Sequence, residues 1–310
     1  MLWRRYLNWP VAAGDRWSMG WRRPATQKPS RPWIHAVLFL ATVVTTTTAG
    51  AMNQGVNPLT TPSQLYRGLP FSITLLLILG VHEFGHYFAS RRWNVQATLP
   101  YFIPMPFFLI GTMGAVIRIR SPIPNRKALF DIGVAGPLAG LVLAVPALIF
   151  GLSLSSVESV ESLSGLVLTE GNSLLYLLLK RIAVGEIPPG HDVMLHPIAF
   201  AAWIGMFVTA LNLLPIGQLD GGHIVYALFG GWHSVIASGA MLALVPLGFF
   251  TKWYGWLFMF VMILLVLGRR HPPPSDPYTE LDPGRRTLGW IMILIFVLCF
   301  IPVPMTVTGP

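Results

Sequence analysis

His82, Glu83 and His86 stand in an otherwise apolar stretch, Leu69 to Ala89 (LPFSITLLLILGVHEFGHYFA). Two histidines four apart share one face of a helix, so both imidazoles can reach one metal ion. The glutamate between them can act as general base on a metal-activated water. Ionisable groups in hydrocarbon are costly and are rarely found there without a function or a partner. The chemistry this pattern implies is metal-dependent hydrolysis at membrane depth.

A catalytic zinc takes three protein ligands and keeps one position open, so two histidines are too few. Only one other carboxylate falls well inside an apolar span: Asp220, in NLLPIGQLDGG from Asn212 to Gly222. Pro215, Gly217 and Gly221 unwind the chain there, and such breaks are tolerated at membrane depth where they line a wet cavity or are buried in protein. Asp220 is therefore the expected third ligand. Asn212 can hydrogen-bond a neighbouring helix or donate to a developing oxyanion. His223 is either an additional ligand or a neighbour outside the ligand set. His35, His191, His196, His233 and His271 lie near span ends or in loops and are read as non-catalytic. Gly133, Gly136 and Gly140 have the small-residue spacing of close helix packing, and are read as packing rather than chemistry.

The elements that must position these groups are membrane helices. The chain is 54% hydrophobic and 11% charged, against about 25% charged in soluble domains. Its mean hydropathy is +0.62. Apolar spans are expected near 33–51, 69–90, 128–152, 196–216, 223–249, 253–268 and 288–305, the 253–268 segment being short. The fold class expected is an all-α polytopic membrane protein with six to seven transmembrane helices. The lone Cys299 allows no intramolecular disulfide and no cysteine-rich metal site. No P-loop or dinucleotide fingerprint occurs, so ATP and NAD chemistry are not indicated.

The net charge of +9 is distributed for topology rather than for nucleic acid, and no nucleic-acid partner is expected. Seven basic residues crowd the first 31 positions, and others flank apolar segments, as positive-inside orientation requires. With the N-terminus in the cytoplasm of a bacterial cell, 17 of the 21 Lys and Arg fall inside. HEFGH and Asp220 then share one depth near the cytoplasmic face. The first span carries Thr45 to Thr48 and an Ala49-Gly50-Ala51 that resembles a signal-peptidase site, while its long basic leader favours a retained helix.

Residues 98–124 are apolar but contain five prolines, so a helix through them is not expected. Ala115 to Arg120 alternates like a strand. A membrane-associated β-hairpin or re-entrant element is expected beside the catalytic span, with Gly114, Val116 and Ile117 as substrate-binding residues on a free strand edge. SLLYLLLKRIAV, 173–184, reads as an interfacial amphipathic helix. The expected organisation is a basic tail (1–32), a core (33–270), a linker (271–287) and an additional C-terminal transmembrane helix (288–310).

HEFGH, AGPLAG and NLLPIGQLDGG together resemble the site-2 protease family of intramembrane zinc metalloproteases over roughly residues 69–270. GAVIRIRSPIPNRKALFDIGVAGPLAG and ALNLLPIGQLDGGHIVYALFG are most similar to the branch that includes the plastid EGY proteins and bacterial relatives. The resemblance implies Zn2+ held by His82, His86 and Asp220, Glu83 as base, and Asn212 as a transition-state stabiliser. It also implies cleavage of transmembrane protein substrates in regulated intramembrane proteolysis. The partners expected are those substrates and the lipid bilayer. No PDZ or cystathionine-β-synthase-type domain is found, and the oligomeric state is left open. The competing readings are a membrane zinc-binding transporter, which needs polar ligands across the whole membrane, and a non-proteolytic chaperone, which needs no base.

Overall fold

The computed structural model describes residues 31–106, 109–159, 167–267 and 272–308. Helix α1 (Pro32–Met52) is followed by a 3-10 turn (Pro62–Gly68) that runs directly into α2 (Leu69–Arg92). A hairpin of β1 (Tyr101–Pro104) and β2 (Thr112–Val116) leads to α3 (Arg126–Ser153). Then come β3 (Ser156–Ser159), β4 (Val167–Glu170), α4 (Leu174–Val184) and β5 (His191–Met194). The rest is α5 (Pro197–Asn212), α6 (Asp220–Phe229), α7 (His233–Thr251), α8 (Gly255–Met262), α9 (Pro283–Cys299) and β6 (Met305–Thr308).

Local chemistry sets the helix starts. Proline opens α2, α5 and α9, where its fixed φ suits the first turn and its missing N–H costs nothing. The Asn125 side chain caps α3 by accepting the Ala128 N–H at 2.9 Å, and Asp282 caps α9 through the Arg285 N–H at 3.1 Å.

Helices α2, α3 and α5 form the centre. Phe71, Leu75 and Ile78 of α2 meet Leu148 and Leu152 of α3 and Trp203, Ile204 and Met206 of α5, all fully buried. Apolar burial drives little association inside lipid, so close packing and interhelical polar contacts hold such a centre. One such contact joins α1 to α2, Thr46 Oγ1 to Ser72 Oγ at 2.6 Å. Outward-facing Leu40, Leu77, Val142 and Phe250 are exposed, as lipid-facing residues must be.

Among the described residues, four helices are long and apolar enough to cross a membrane: Pro32–Met52, Pro62–Arg92, Arg126–Ser153 and Asp220–Thr251. The chain is thus a mostly helical, polytopic integral membrane protein. These four are fewer than the six to seven expected; Pro197–Asn212 and Gly255–Leu265 are apolar but shorter. The span expected over 223–249 starts earlier, at Asp220, and is divided into α6 and α7 by a 3-10 turn, Gly230–Trp232, where Gly230 takes φ +56°. The described part of the apolar 253–268 segment holds α8 followed by a π turn, Ile263–Leu267. The basic tail lies, through residue 30, outside the described residues, as do residues 268–270 at the end of the expected core and residue 271 at the start of the expected linker.

The strand expected at Ala115 to Arg120 is displaced to Thr112–Val116, with Tyr101 opposite Val116 and Phe102 opposite Ala115. Pairing then slips register and resumes beyond it, Ala97 opposite Ile119. The segment 153–195 holds more than the one expected helix, which is α4: β3 pairs with β5, and β4 pairs with β6. Buried Lys180 of α4 binds Asp192 at 3.0 Å and Glu170 at 3.6 Å, and the Tyr176 hydroxyl donates to Glu170 at 2.6 Å. Burial pushes the Glu170 carboxyl above its ordinary value.

At the other end of the bundle, Asp131 receives Arg285 Nε at 2.8 Å, Arg285 Nη2 at 2.7 Å and Trp93 Nε1 at 3.0 Å. This fork ties α9 to α3. Arg126 donates to the Ala227 and Leu228 carbonyls, tying the start of α3 to the end of α6. The Ser275 and Asp276 N–H groups donate to the Ile123 and Pro124 carbonyls at 2.9 Å.

Candidate metal centre

Three elements converge near the basic end of the bundle. His86 lies six residues before Arg92, about 9 Å along α2 at the rise of an α-helix. Helix α3 passes beside it, and the turn between α5 and α6 brings in Asp220.

The structure brings His82, His86 and Asp220 together. His82 Nε2 and His86 Nε2 each lie 3.3 Å from Asp220 Oδ2, and the two nitrogens are 3.1 Å apart. These are the ligand-to-ligand spacings of a tetrahedral ion with bonds near 2.05 Å, roughly 3.3 Å. Two imidazole nitrogens and one carboxylate oxygen are also a donor set that zinc takes. Both histidines are buried. The residues present therefore fit a metal ion with an open position.

The glycines of α3 make room for the imidazoles. A Cβ on Gly136 would lie 2.0 Å from His86 Nε2, and one on Gly140 would lie 3.2 Å from His82 Nδ1. Across the contact, a Cβ on Gly85 would meet the Ala135 carbonyl at 2.5 Å. Gly133, Gly136 and Gly140 pack closely, as their spacing led us to expect, and Gly136 and Gly140 form the wall on which the histidines rest. Gly133 does the same for His223, whose Cβ a side chain there would meet at 2.7 Å. The Ile132 carbonyl accepts from His86 Nδ1 at 2.7 Å. That bond fixes the tautomer and leaves Nε2 with its lone pair.

Glu83 lies in the same cavity, about 520 Å3 in volume, with Asn212, Gln218 and His223. The Ile117 N–H donates to Glu83 Oε2 at 2.8 Å. Asn212 Nδ2 is 3.3 Å from His82 Nε2. The residues 115–119 form one wall, so Val116 and Ile117 reach the cavity, while Gly114 lies just outside it and donates to Thr112 Oγ1. His223 stays outside the ligand cluster, and its Nδ1 donates to the Leu219 carbonyl at 2.9 Å. His35 and His233 are buried, and His35 Nδ1 donates to the Pro100 carbonyl at 3.1 Å.

Sequence reasoning missed Gln218, the Ile132 carbonyl and the bond from the Ile117 N–H to Glu83. Gln218 lies within the Asp220 motif and had a signal. The two backbone groups carry none, because any residue supplies them.

Residues 70–251 match peptidase family M50. Probable zinc metalloprotease EGY1, chloroplastic, of Arabidopsis thaliana is 34% identical over 247 residues, covering 76% of this chain and 43% of that protein. Probable zinc metalloprotease EGY2, chloroplastic, of the same plant is 28% identical over 243 residues, covering 78% and 43%. Probable zinc metalloprotease EGY1, chloroplastic, of Oryza sativa subsp. japonica is 32% identical over 244 residues, covering 76% and 40%. The chain spans about two fifths of the length of the curated relatives it matches. The family match takes in more than half of this chain, centred on the α2, α3 and α5–α6 groups just described, and the chain belongs to peptidase family M50, the site-2 proteases.

Proposed function

We propose that this chain is an intramembrane zinc endopeptidase that hydrolyses peptide bonds in membrane-spanning segments of other proteins. The observation that carries the reading is the His82, His86 and Asp220 cluster inside helices of membrane-spanning length, with Glu83 on the same cavity wall. The matched relatives are zinc metalloproteases by name.

His82 Nε2, His86 Nε2 and Asp220 Oδ2 would hold the zinc. When bound, zinc polarises a peptide carbonyl and makes water more acidic. Glu83 takes the proton of the attacking water and returns it to the leaving nitrogen. Asn212 donates its amide to the oxygen that becomes negative. Hydrogen-bonded helical carbonyls are poorly accessible, so the substrate must unwind. Of Gly114, Val116 and Ile117, it is Ile117 that offers its backbone on the open strand edge to the extended segment, which hydrocarbon cannot, while Val116 lines the cavity beside it.

In this proposal the basic end of the bundle faces the cytoplasm of a bacterial cell, and water enters from that side. The distribution of Lys and Arg supports it; the matched relatives are chloroplast proteins by name. Helices α5 and α9 join the four long helices as spans, six in all. The core runs through 33–270, followed by a linker and the C-terminal helix.

The test is cleavage of a synthetic transmembrane peptide by purified protein in liposomes. Cleavage should stop with a zinc chelator and return with added zinc. Cleavage that persists in chelator would overturn the reading.

A further inference from the structure

Ile117 occupies a particular place in the hairpin. The Arg118 N–H donates to Thr98 Oγ1 at 3.0 Å, the Thr98 N–H to the Arg118 carbonyl at 3.0 Å, and the Arg120 N–H to the Gln96 carbonyl at 2.7 Å. Residues 118 and 120 thus turn their backbone groups toward the partner strand. Backbone groups alternate along a strand, so Ile117 turns its own to the opposite, open edge. Its N–H is not idle there: it donates to Glu83 Oε2 at 2.8 Å.

An extended peptide that adds to this edge needs that same donor for one of its carbonyls. One N–H cannot serve the Glu83 carboxylate and a peptide carbonyl equally well, since each wants the straight approach. We infer that substrate and Glu83 compete for the Ile117 N–H, so that pairing of the unwound substrate with the strand edge releases the base. Before substrate arrives, the contact ties the hairpin to α2 and holds the carboxylate against the cavity wall. After pairing, the Ile117 N–H belongs to the substrate backbone, and Glu83 is free to turn toward the attacking water. Proton abstraction is thereby linked to correct docking, and an empty site keeps its base tied. This inference rests on the endopeptidase reading and adds a substrate-operated switch to it.

The competition is measurable without turnover. Glu83→Ala removes the competitor, while Glu83→Gln keeps an acceptor oxygen in its place. The probe is a fluorescent Leu-rich peptide of about 25 residues, long enough to span, with a central Asn-Pro-Gly break, titrated onto zinc-loaded protein in detergent micelles. The Glu83→Ala protein should bind it about threefold to tenfold more tightly than the Glu83→Gln protein, the range of one ordinary hydrogen bond. Ile117→Pro removes the contested N–H, and in that background the two variants should bind equally. Equal, weaker or absent binding by Glu83→Ala overturns the inference, as does a difference that survives Ile117→Pro. If Ile117→Pro does not fold, the comparison of the two Glu83 variants decides alone. Neither outcome touches the protease reading, which stands or falls on chelator-sensitive cleavage by the unaltered protein.

Discussion

Gly136 decides whether His86 can stand where it does. An alanine methyl there would occupy the imidazole itself, at 2.0 Å from Nε2. The ring must swing away, breaking the Nδ1 bond to Ile132, or α2 and α3 must separate. We expect Gly136→Ala to lose most bound zinc while the helices remain, measured by metal analysis and circular dichroism. Zinc content equal to wild type would mean that the histidine wall is not tight. His86→Ala and Asp220→Ala should also lose zinc, because each removes one of the three proposed ligands. Retention of a full equivalent by Asp220→Ala would remove Asp220 from the ligand set. The three ligand candidates were legible in the sequence because ionisable groups are rare in apolar spans and histidines four apart share a helix face. The role of Gly136 was not, because spacing alone says that another helix comes close and not which side chain it carries.

Elements hold these residues through bonds made at helix ends. The Arg285 fork on Asp131 joins α9 to α3, and Arg126 joins α3 to α6, whose first residue is Asp220. Arg285→Ala leaves Asp131 without its cation. We expect a loss of about 1.5–3 kcal/mol, the range for hydrogen bonds to charged groups, seen as a lower thermal midpoint with zinc content kept. An unchanged midpoint would show that α9 docks by apolar contacts alone. The long helices were legible from hydropathy and from the prolines and caps at their starts. The break between α6 and α7 was not, because Gly230-Gly231-Trp232 leaves the hydropathy unbroken. The pairing of β4 with β6 was hidden as well, since short strands far apart in the chain carry no mark of their partner. For β2, the alternation was read in the right segment and placed too late. Thr112 begins the ladder, and at Ile117 the strand bonds to Glu83 instead of to β1.

At the scale of the molecule, two ends with different chemistry enclose a buried centre. The end with Arg91, Arg92, Arg118 and Arg126 carries the His82, His86 and Asp220 cluster. The opposite end carries the β3–β5 pair and α4, sealed by Lys180, Glu170 and Asp192. Cysteines introduced near Arg92 and near Glu186 should label from opposite sides of the membrane, the Arg92 side being cytoplasmic. Inverted labelling would move the water entrance to the other face. The central claim is that Glu83 serves as the base of a metal centre it does not help to build. The most direct test is the rate at which zinc-matched Glu83→Gln and wild-type protein cleave a transmembrane peptide in liposomes. Loss of the base should slow cleavage by at least ~100-fold with zinc content unchanged. A Glu83→Gln protein that cleaves near the wild-type rate, or that has lost its zinc, would contradict that claim.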